Sequence, residues 1–259
     1  MTYCEAKAQL ARLARSHSDM LFRGQRSASW SLSSGLARTG WVRALRYEER
    51  LRLLDKVVEH FRELCVRREW YREEELKDPH RVLRLAQHHG LPTTLLDWTY
   101  SPYVALFFSF DGCGTTLVDD DVAVWCLDWR RFLDGAEALQ RSREPDTRDA
   151  RRQVLERYHA SHDGVQLVRY ADSINRRIHR QLGVFTEVRF EIFALNDYLA
   201  EQEASFPPDT LVKVVVTKLD QEEAIRDLAL MGLDPAFLMA DLDGVARSAY
   251  NDLIRFRSA

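Results

Sequence analysis

An apolar run from Tyr103 to Phe110, directly after Ser101-Pro102, is the feature that most constrains the fold of this chain of 259 residues. Serine is a preferred N-cap residue and proline is favoured at the first helical position, so the pair predicts a helix start. The run leaves this helix no polar face, and a helix that is apolar all round is a buried one. We therefore expect a helix from Ser101 to Phe110 that is packed inside the protein.

The chain on either side of this run mixes helical and strand patterns. Residues 47–77 carry apolar side chains at spacings of three and four, which predicts one long helix that ends at Asp78-Pro79. A second helix is predicted from Pro79 to His89, with Gly90 as its C-cap. Strands are predicted at residues 20–23, before a turn at Gly24, and at 122–127, 184–193 and 211–217.

These elements predict an α+β fold. No break in composition divides the chain, so we expect a helix-rich single domain over residues 1–259 around a small mixed sheet. Residues 140–153 carry dense mixed charge and a proline, which predicts a charged surface insertion.

Composition excludes several classes of protein. The net charge of -3 does not favour general binding to nucleic acid, although clustered arginines permit a local pocket for one anionic ligand. The four cysteines match neither a disulfide framework nor a zinc site. No secretion signal and no apolar stretch of roughly 20 residues is visible. We expect a cytoplasmic protein with reduced thiols, no membrane partner and no bound metal.

The first block of interest is Phe22-Arg23-Gly24-Gln25, at the end of a predicted strand. A guanidinium group is a rigid fork of donors that suits phosphate or carboxylate. Glycine lets a ligand approach the backbone closely. The alternative is that Arg23 serves only in a structural ion pair.

The second block runs from Gln87 to Ser101 and is interpreted as a polar loop between two helices. Helix N-termini present free N–H groups that attract anions. Asp97 has the alternative role of a cap or turn former, and Trp98 that of a core residue. His88 and His89 are adjacent, so they point about 100° apart on a helix and do not form a metal-binding pair. We predict that Arg23, Gln87 and Asp97 meet in one partly exposed cleft.

The two blocks resemble the FRG domain family, which is widespread in bacteria and viruses. The resemblance rests on Phe22-Arg23-Gly24-Gln25 and on the run from Gln87 to Phe108, QHHGLPTTLLDWTYSPYVALFF. Asp241-Leu242-Asp243-Gly244 resembles a further recurrent feature of these proteins. The family resemblance implies a fold and no particular activity.

A second resemblance, at the level of the fold, is to ADP-ribosyltransferases of the Arg-Ser-Glu type. These enzymes place an arginine on an early strand, a serine motif before an apolar helix, and a glutamate on a later strand. Arg23 matches the first element, Ser101 with Ala105 and Phe108 the second, and Gln181 stands where the glutamate is expected. Glu187 and Glu191 are nearby alternatives.

The resemblance implies an enzyme that uses NAD as substrate, either transferring ADP-ribose or splitting NAD. Arg23 would hold phosphate, Trp98 or Tyr100 would stack on the nicotinamide, and Asp97, Glu187 or Glu191 would face the ribose. The residues expected to bind the nucleotide are Arg23, Gly24, Gln25, Gln87, His88 and Trp98, and the expected catalytic residues are Arg23, Asp97, Ser101, Gln181 and Glu187.

Two other functions stay open at this point. One is a non-catalytic module that binds a nucleotide or a phosphoprotein through the same pocket. The other is a protein that acts on nucleic acid, which the arginines near 141–152 and 176–180 permit and the net charge of -3 disfavours. The expected partner is accordingly a small-molecule nucleotide or a target macromolecule.

Asp241 and Asp243 have two possible roles. Two close carboxylates suit a hard cation, but they equally suit the N-terminus of a final helix predicted over residues 244–256. Nothing nearby supplies the further oxygen ligands of a calcium loop. We favour capping and expect Asp243→Ala to lower stability.

Overall fold

The computed structural model describes residues 1–17, 19–112, 120–143, 165–168, 176–188 and 194–256. Its helices are α1 (Tyr3–Ser16), α2 (Gly40–Arg43), α3 (Tyr47–Arg67), α4 (Pro79–His88), α5 (Pro102–Phe110), α6 (Trp129–Arg143), α7 (Arg176–Arg180), α8 (Leu195–Glu201), α9 (Gln221–Leu230), α10 (Pro235–Met239) and α11 (Leu242–Phe256). Its strands are β1 (Met20–Gln25), β2 (Leu95–Thr99), β3 (Val122–Asp128), β4 (Val165–Val168), β5 (Gly183–Val188) and β6 (Leu211–Val216).

The strands form one sheet in the order β4-β5-β2-β1-β3-β6, and helices pack around it. The α+β class is therefore confirmed. The expectation of a mixed sheet is wrong, because every pairing among the described strands is antiparallel. β2 and β3 are joined through α5, but β1 lies between them and pairs antiparallel with both. Sequence order does not reveal such an insertion.

Helix α5 confirms the prediction made from its sequence. The Ser101 side chain accepts a hydrogen bond from the Val104 backbone N–H at 3.3 Å, which caps the helix. Seven of its nine residues are buried, and five of these belong to a core cluster that includes Phe22 of β1. The second core cluster contains Leu21 of the same strand, so side chains of β1 contribute to two separate cores.

Gly24 explains how α5 comes so close to β1. A Cβ atom at this position would lie 2.0 Å from the Ala105 carbonyl oxygen and 2.6 Å from the Ser109 nitrogen. The residue lies inside β1, so the predicted turn at Gly24 is wrong. Glycine is needed here for close packing of a helix against a strand.

The observed bounds of two other segments differ from those predicted from the sequence. The long helix expected over residues 47–77 stops at Arg67, and Glu69 has a left-handed backbone with φ of 59°. The first residues of the predicted charged insertion, 140–143, belong to α6, while residues 144–153 lie outside the described residues. No helix among the described residues is long and apolar enough to cross a membrane.

Candidate functional site

The two central strands separate at one end, and this separation creates the site. β1 pairs with β3 over all six positions from Met20 to Gln25. It pairs with β2 only at Phe22 and Thr99. We call the edge of β1 from Arg23 to Gln25, which faces β2, the open edge. A cleft of about 460 Å³ lies there.

The cleft walls come from distant parts of the chain. The open edge, β2, α4, α5 and β5 all contribute lining residues. The C-terminal part of the lining, which we call the second wall, consists of Met239, Asp241, Asp243 and Arg247. The charged residues of its lining are Arg23, Arg26, Arg38, Arg84, Arg247, Asp97, Asp111, Asp241 and Asp243. Gln87, His88 and Gln181 also line it, together with Trp30 and Phe185.

Arg23 bridges the gap between the separated strands. Its Nη1 donates to the Asp97 carbonyl oxygen at 2.7 Å and lies 3.5 Å from the Asp97 carboxylate oxygen Oδ2. The side chain is only 16% exposed. Its Nε is buried and has no hydrogen-bond partner among the described residues. A buried donor without a partner costs roughly 1–3 kcal/mol, so this guanidinium is suited to an additional acceptor.

Asp97 lies on β2, whereas the sequence predicted a loop here, so that prediction is wrong. The carboxylate is 62% exposed and points into the cleft region beside Arg23. Gln87 Nε2 donates to its Oδ1 at 2.8 Å. The predicted convergence of Arg23, Gln87 and Asp97 is confirmed by these contacts.

A buried threonine fixes the orientation of the Gln87 amide. The Thr93 hydroxyl accepts the Leu95 backbone N–H at 3.1 Å, and its own proton is donated to Gln87 Oε1. The amide oxygen is thereby committed to Thr93, and the amide N–H₂ group faces Asp97. Thr93 is 1% exposed, so this relay is shielded from water.

Arg38 adds a second cation near Arg23. Burial lowers the pKa of the Arg38 guanidinium from its ordinary value, and repulsion by Arg23 lowers it further, while Asp97 acts in the opposite direction. Arginine stays protonated despite such shifts. At the open edge, Arg38 is therefore repelled by Arg23 and attracted by Asp97.

Three residues expected to bind the nucleotide have structural contacts. Gln25 is 4% exposed, accepts from Trp125 Nε1 at 2.8 Å and donates to the Ser31 carbonyl at 3.2 Å. Trp98 is 3% exposed and donates its indole N–H to Thr186 at 2.9 Å. Gly24 packs against α5. Tyr100, the other expected stacking residue, does not line the cleft.

The expected catalytic residues beyond Arg23 and Asp97 have different locations. Gln181, two residues before β5, lines the cleft, and its Nε2 donates to the Leu238 carbonyl at 3.0 Å. Glu187 is not part of the lining and accepts from the Thr94 hydroxyl at 3.2 Å. Ser101 caps α5 and is likewise absent from the lining. Glu191 lies outside the described residues.

The C-terminal aspartates lie on the second wall. Asp241 Oδ1 accepts from the Gly244 backbone N–H at 2.8 Å, so Asp241 caps α11. The expectation that Asp243 caps this helix is wrong, because Asp243 already lies in its first turn. A Cβ on Gly244 would lie 2.5 Å from the Pro235 carbonyl oxygen, which explains the glycine. Within the described ranges, no group of three or more His, Cys, Asp or Glu residues is arranged to hold a metal ion.

Sequence reasoning missed Trp30, Arg38 and Thr93. Trp30 and Arg38 enter the cleft because of the path of the segment after β1, which has no periodic pattern to predict it. Thr93 lay inside the second block but carried no signal beyond its hydroxyl group. Its role follows only from the distance between its hydroxyl and the end of α4.

Comparison with known proteins agrees with the first resemblance. Residues 18–115 match the model of a family described as the FRG domain. This range contains both blocks, the open edge, β2 and α5, while the second wall of the cleft lies beyond it. No curated protein and no solved structure matches the chain. The match supports the resemblance to the FRG domain family over residues 18–115 of the chain.

Proposed function

We propose that the cleft binds a nucleotide with a diphosphate group and that this nucleotide is NAD. We further propose that the protein splits NAD or transfers its ADP-ribose. The observation that carries this proposal is Arg23 at the open edge. Its guanidinium is recessed, and its buried Nε has no partner among the described residues. An anionic oxygen in the cleft would satisfy that donor.

Electrostatics supports an anionic ligand. Burial lowers the pKa of the Arg38 guanidinium, repulsion by Arg23 lowers it further, and the exposed Asp97 carboxylate acts in the opposite direction. A diphosphate between the guanidinium groups would add charge-assisted hydrogen bonds and relieve the repulsion. Such bonds are strong when water is excluded, and the 16% exposure of Arg23 meets that condition.

The arrangement of strands supports the comparison with ADP-ribosyltransferases. Arg23 lies on β1, the apolar helix capped by Ser101 follows β2, and Gln181 lies two residues before β5. The strands β5, β2 and β1 are neighbours in the sheet, so these three elements meet at one cleft.

In the proposed reaction, the bond between C1′ of the ribose and the nicotinamide nitrogen breaks. The bonding electron pair leaves with nicotinamide, and positive charge develops on the ribose. Water or an acceptor nucleophile then forms the new bond to C1′ and loses its proton. The Asp97 carboxylate would stabilise the developing cation. Gln87 holds this carboxylate in place through its 2.8 Å hydrogen bond.

A non-catalytic nucleotide-binding module is the second candidate, and one observation favours it. Gln181, two residues before β5, has no charge to stabilise a cation, and its amide is already bound to the Leu238 carbonyl. Glu187, the nearest described carboxylate of β5, is engaged by Thr94 and lies outside the lining. Under this alternative Asp97 would only orient Arg23.

Nicotinamide release from NAD separates the two candidates. If the protein splits NAD, the wild type should release nicotinamide. Asp97→Asn should then bind NAD without releasing nicotinamide, and Arg23→Ala should bind NAD weakly. Asp134→Asn is the matched control, because Asp134 is an exposed carboxylate of α6 away from the cleft. Wild-type protein that binds NAD and releases no nicotinamide would support the binding module. Wild-type protein that does not bind NAD would contradict both.

A further inference from the structure

The loop of residues 26–31, which follows β1, presents an indole ring at the cleft. Trp30 lines the cleft and is 37% exposed. The Arg26 guanidinium carbon lies 5.9 Å from the centre of this ring, at the distance of a cation–π contact. An exposed tryptophan beside an arginine offers a planar apolar surface and a positive charge together.

We propose that Trp30 is the stacking surface of a nucleobase subsite in this cleft. The proposal rests on the proposed function, since it names the part of the nucleotide that Trp30 would hold. Bases stack on aromatic side chains irrespective of their identity, because every base has a π-face. The subsite therefore selects for a base and discriminates little among bases.

The loop that carries Trp30 is hydrogen-bonded to the rest of the protein at four of its six residues, Ser27, Ala28, Ser29 and Ser31. The Asp120 carboxylate accepts from the Ser27 hydroxyl at 2.6 Å and from the Ser29 backbone N–H at 2.8 Å. These two contacts hold the pKa of Asp120 below its ordinary value. The Ala28 backbone N–H donates to the Asp121 carbonyl at 2.6 Å, and the Ala28 carbonyl accepts from Lys213 Nζ. The Ser31 carbonyl accepts from Gln25 Nε2 at 3.2 Å.

This anchoring matters for binding. A loop that is fixed before the ligand arrives loses little conformational freedom on binding, so more of the contact energy appears as affinity. Trp30 therefore has the exposure and the support that a stacking surface requires.

Comparison with the other tryptophans isolates Trp30. Trp98 also belongs to the lining, but its ring is buried in the core and its N–H is bound to Thr186. Trp41 and Trp70 are 60% and 76% exposed, and neither lines the cleft. The lining and exposure together point to Trp30, whereas the sequence had pointed to Trp98 or Tyr100.

The position of the loop fits a nucleotide that lies along the open edge. Arg23 precedes the loop on β1 and Arg38 follows it, and both line the same cleft as Trp30. A diphosphate held by these arginines would leave the base to reach the indole. A ligand that has phosphates and no base would lose this contact.

Calorimetric titration with ADP and with inorganic pyrophosphate tests the proposal. Trp30→Ala should weaken ADP binding by about tenfold or more and leave pyrophosphate binding unchanged, because stacking on an aromatic side chain favours the base alone. Trp30→Phe should keep ADP affinity within about threefold of wild type, since phenylalanine retains a stacking face. Trp41→Ala is the matched control and should bind both ligands as wild type does.

The outcomes separate this inference from the proposed function. Equal ADP affinity in wild type and Trp30→Ala would overturn the subsite while leaving the diphosphate site in place. Parallel loss of ADP and pyrophosphate in Trp30→Ala, with unchanged thermal melting, would also overturn it, because Trp30 would then support the whole cleft. Wild-type protein that binds neither ligand would contradict the proposed function itself.

Discussion

Strand β1 has two unlike edges. The edge that faces β3 is paired from Met20 to Gln25, over six positions in succession. The edge that faces β2 is paired once, between Phe22 and Thr99, and then opens into a cleft. The same six residues thus build the middle of the sheet on one side and a candidate binding site on the other.

The difference shows how a site can be rigid and open at once. Full pairing with β3 and close packing of α5 over Gly24 fix the backbone of β1. Along the open edge, side chains replace the missing ladder, as Arg23 does when it donates to the Asp97 carbonyl. The Asp97 carbonyl, which a paired β1 would otherwise satisfy, is therefore bound by a side chain that also lines the cleft.

The largest expected effect is that of Gly24→Ala, which disturbs both edges together. The added Cβ would lie 2.0 Å from the Ala105 carbonyl, and backbone atoms cannot give way there without moving α5. We expect the free energy of unfolding to fall by about 3 kcal/mol or more, at the upper end of overpacking costs. Urea unfolding measures this change. Gly40→Ala is the control, because no atom lies within 4 Å of a Cβ there, and it should not destabilise the protein.

Arg23→Ala should have the next largest effect, and only at the open edge. Loss of charge-assisted hydrogen bonds worth about 1.5–3 kcal/mol should weaken NAD binding by roughly 10- to 150-fold. Titration calorimetry gives the affinities. Arg130→Ala removes an exposed arginine of α6 and should leave binding unchanged. If Arg23→Ala binds NAD with wild-type affinity, the open edge does not bind the diphosphate.

Thr93→Val tests the relay that orients Gln87 towards Asp97. Without the hydroxyl, the Gln87 amide is free to turn, and we expect NAD affinity to fall by about five- to tenfold, as for loss of one net hydrogen bond. Thr93→Ser keeps the hydroxyl and should restore binding. Thr94→Val is the matched control, since Thr94 is as deeply buried and its hydroxyl contacts Glu187 outside the cleft.

Equal losses of stability in Thr93→Val and Thr94→Val would be compatible with this account, because each variant loses one buried hydrogen bond. Equal losses of NAD affinity in Thr93→Val and Thr94→Val would contradict it. In that case Thr93 would act through general stability and would not position Gln87.

The smallest effects are expected at the second wall. Asp241→Ala removes the N-cap of α11 and should lower the free energy of unfolding by about 0.5–2 kcal/mol. Asp243→Ala removes an exposed carboxylate and should change it by less than about 0.5 kcal/mol. Thermal and urea unfolding distinguish the two. If Asp243→Ala weakens NAD binding as strongly as Arg23→Ala does, recognition is not confined to the open edge.

Much of the fold was predictable where local chemistry decides it. Ser101-Pro102 starts α5 and Asp78-Pro79 starts α4, because serine, aspartate and proline act on the adjacent backbone alone. The end of α3 at Arg67 was not predictable, since no glycine or proline stands near the left-handed Glu69. β2 was mistaken for a loop because Asp97 and the threonines around it mask its buried positions.

The site was predictable in part. The convergence of Arg23, Gln87 and Asp97 followed from their places in two recognisable blocks, and the structure confirms it. The roles of Trp98 and Trp30 did not follow, because exposure depends on which face of a strand or loop meets the core. The separation of β1 from β2 has no sequence signal of its own, since each strand alone carries an ordinary strand pattern.

A crystal structure of the protein with NAD would show whether the open edge binds the diphosphate. We expect diphosphate oxygens within hydrogen-bond distance of the Arg23 guanidinium, including Nε, at the open edge of β1. The ribose next to nicotinamide should then lie beside the Asp97 carboxylate. A diphosphate held by the second wall, with Arg23 Nε still unpartnered, would contradict the account.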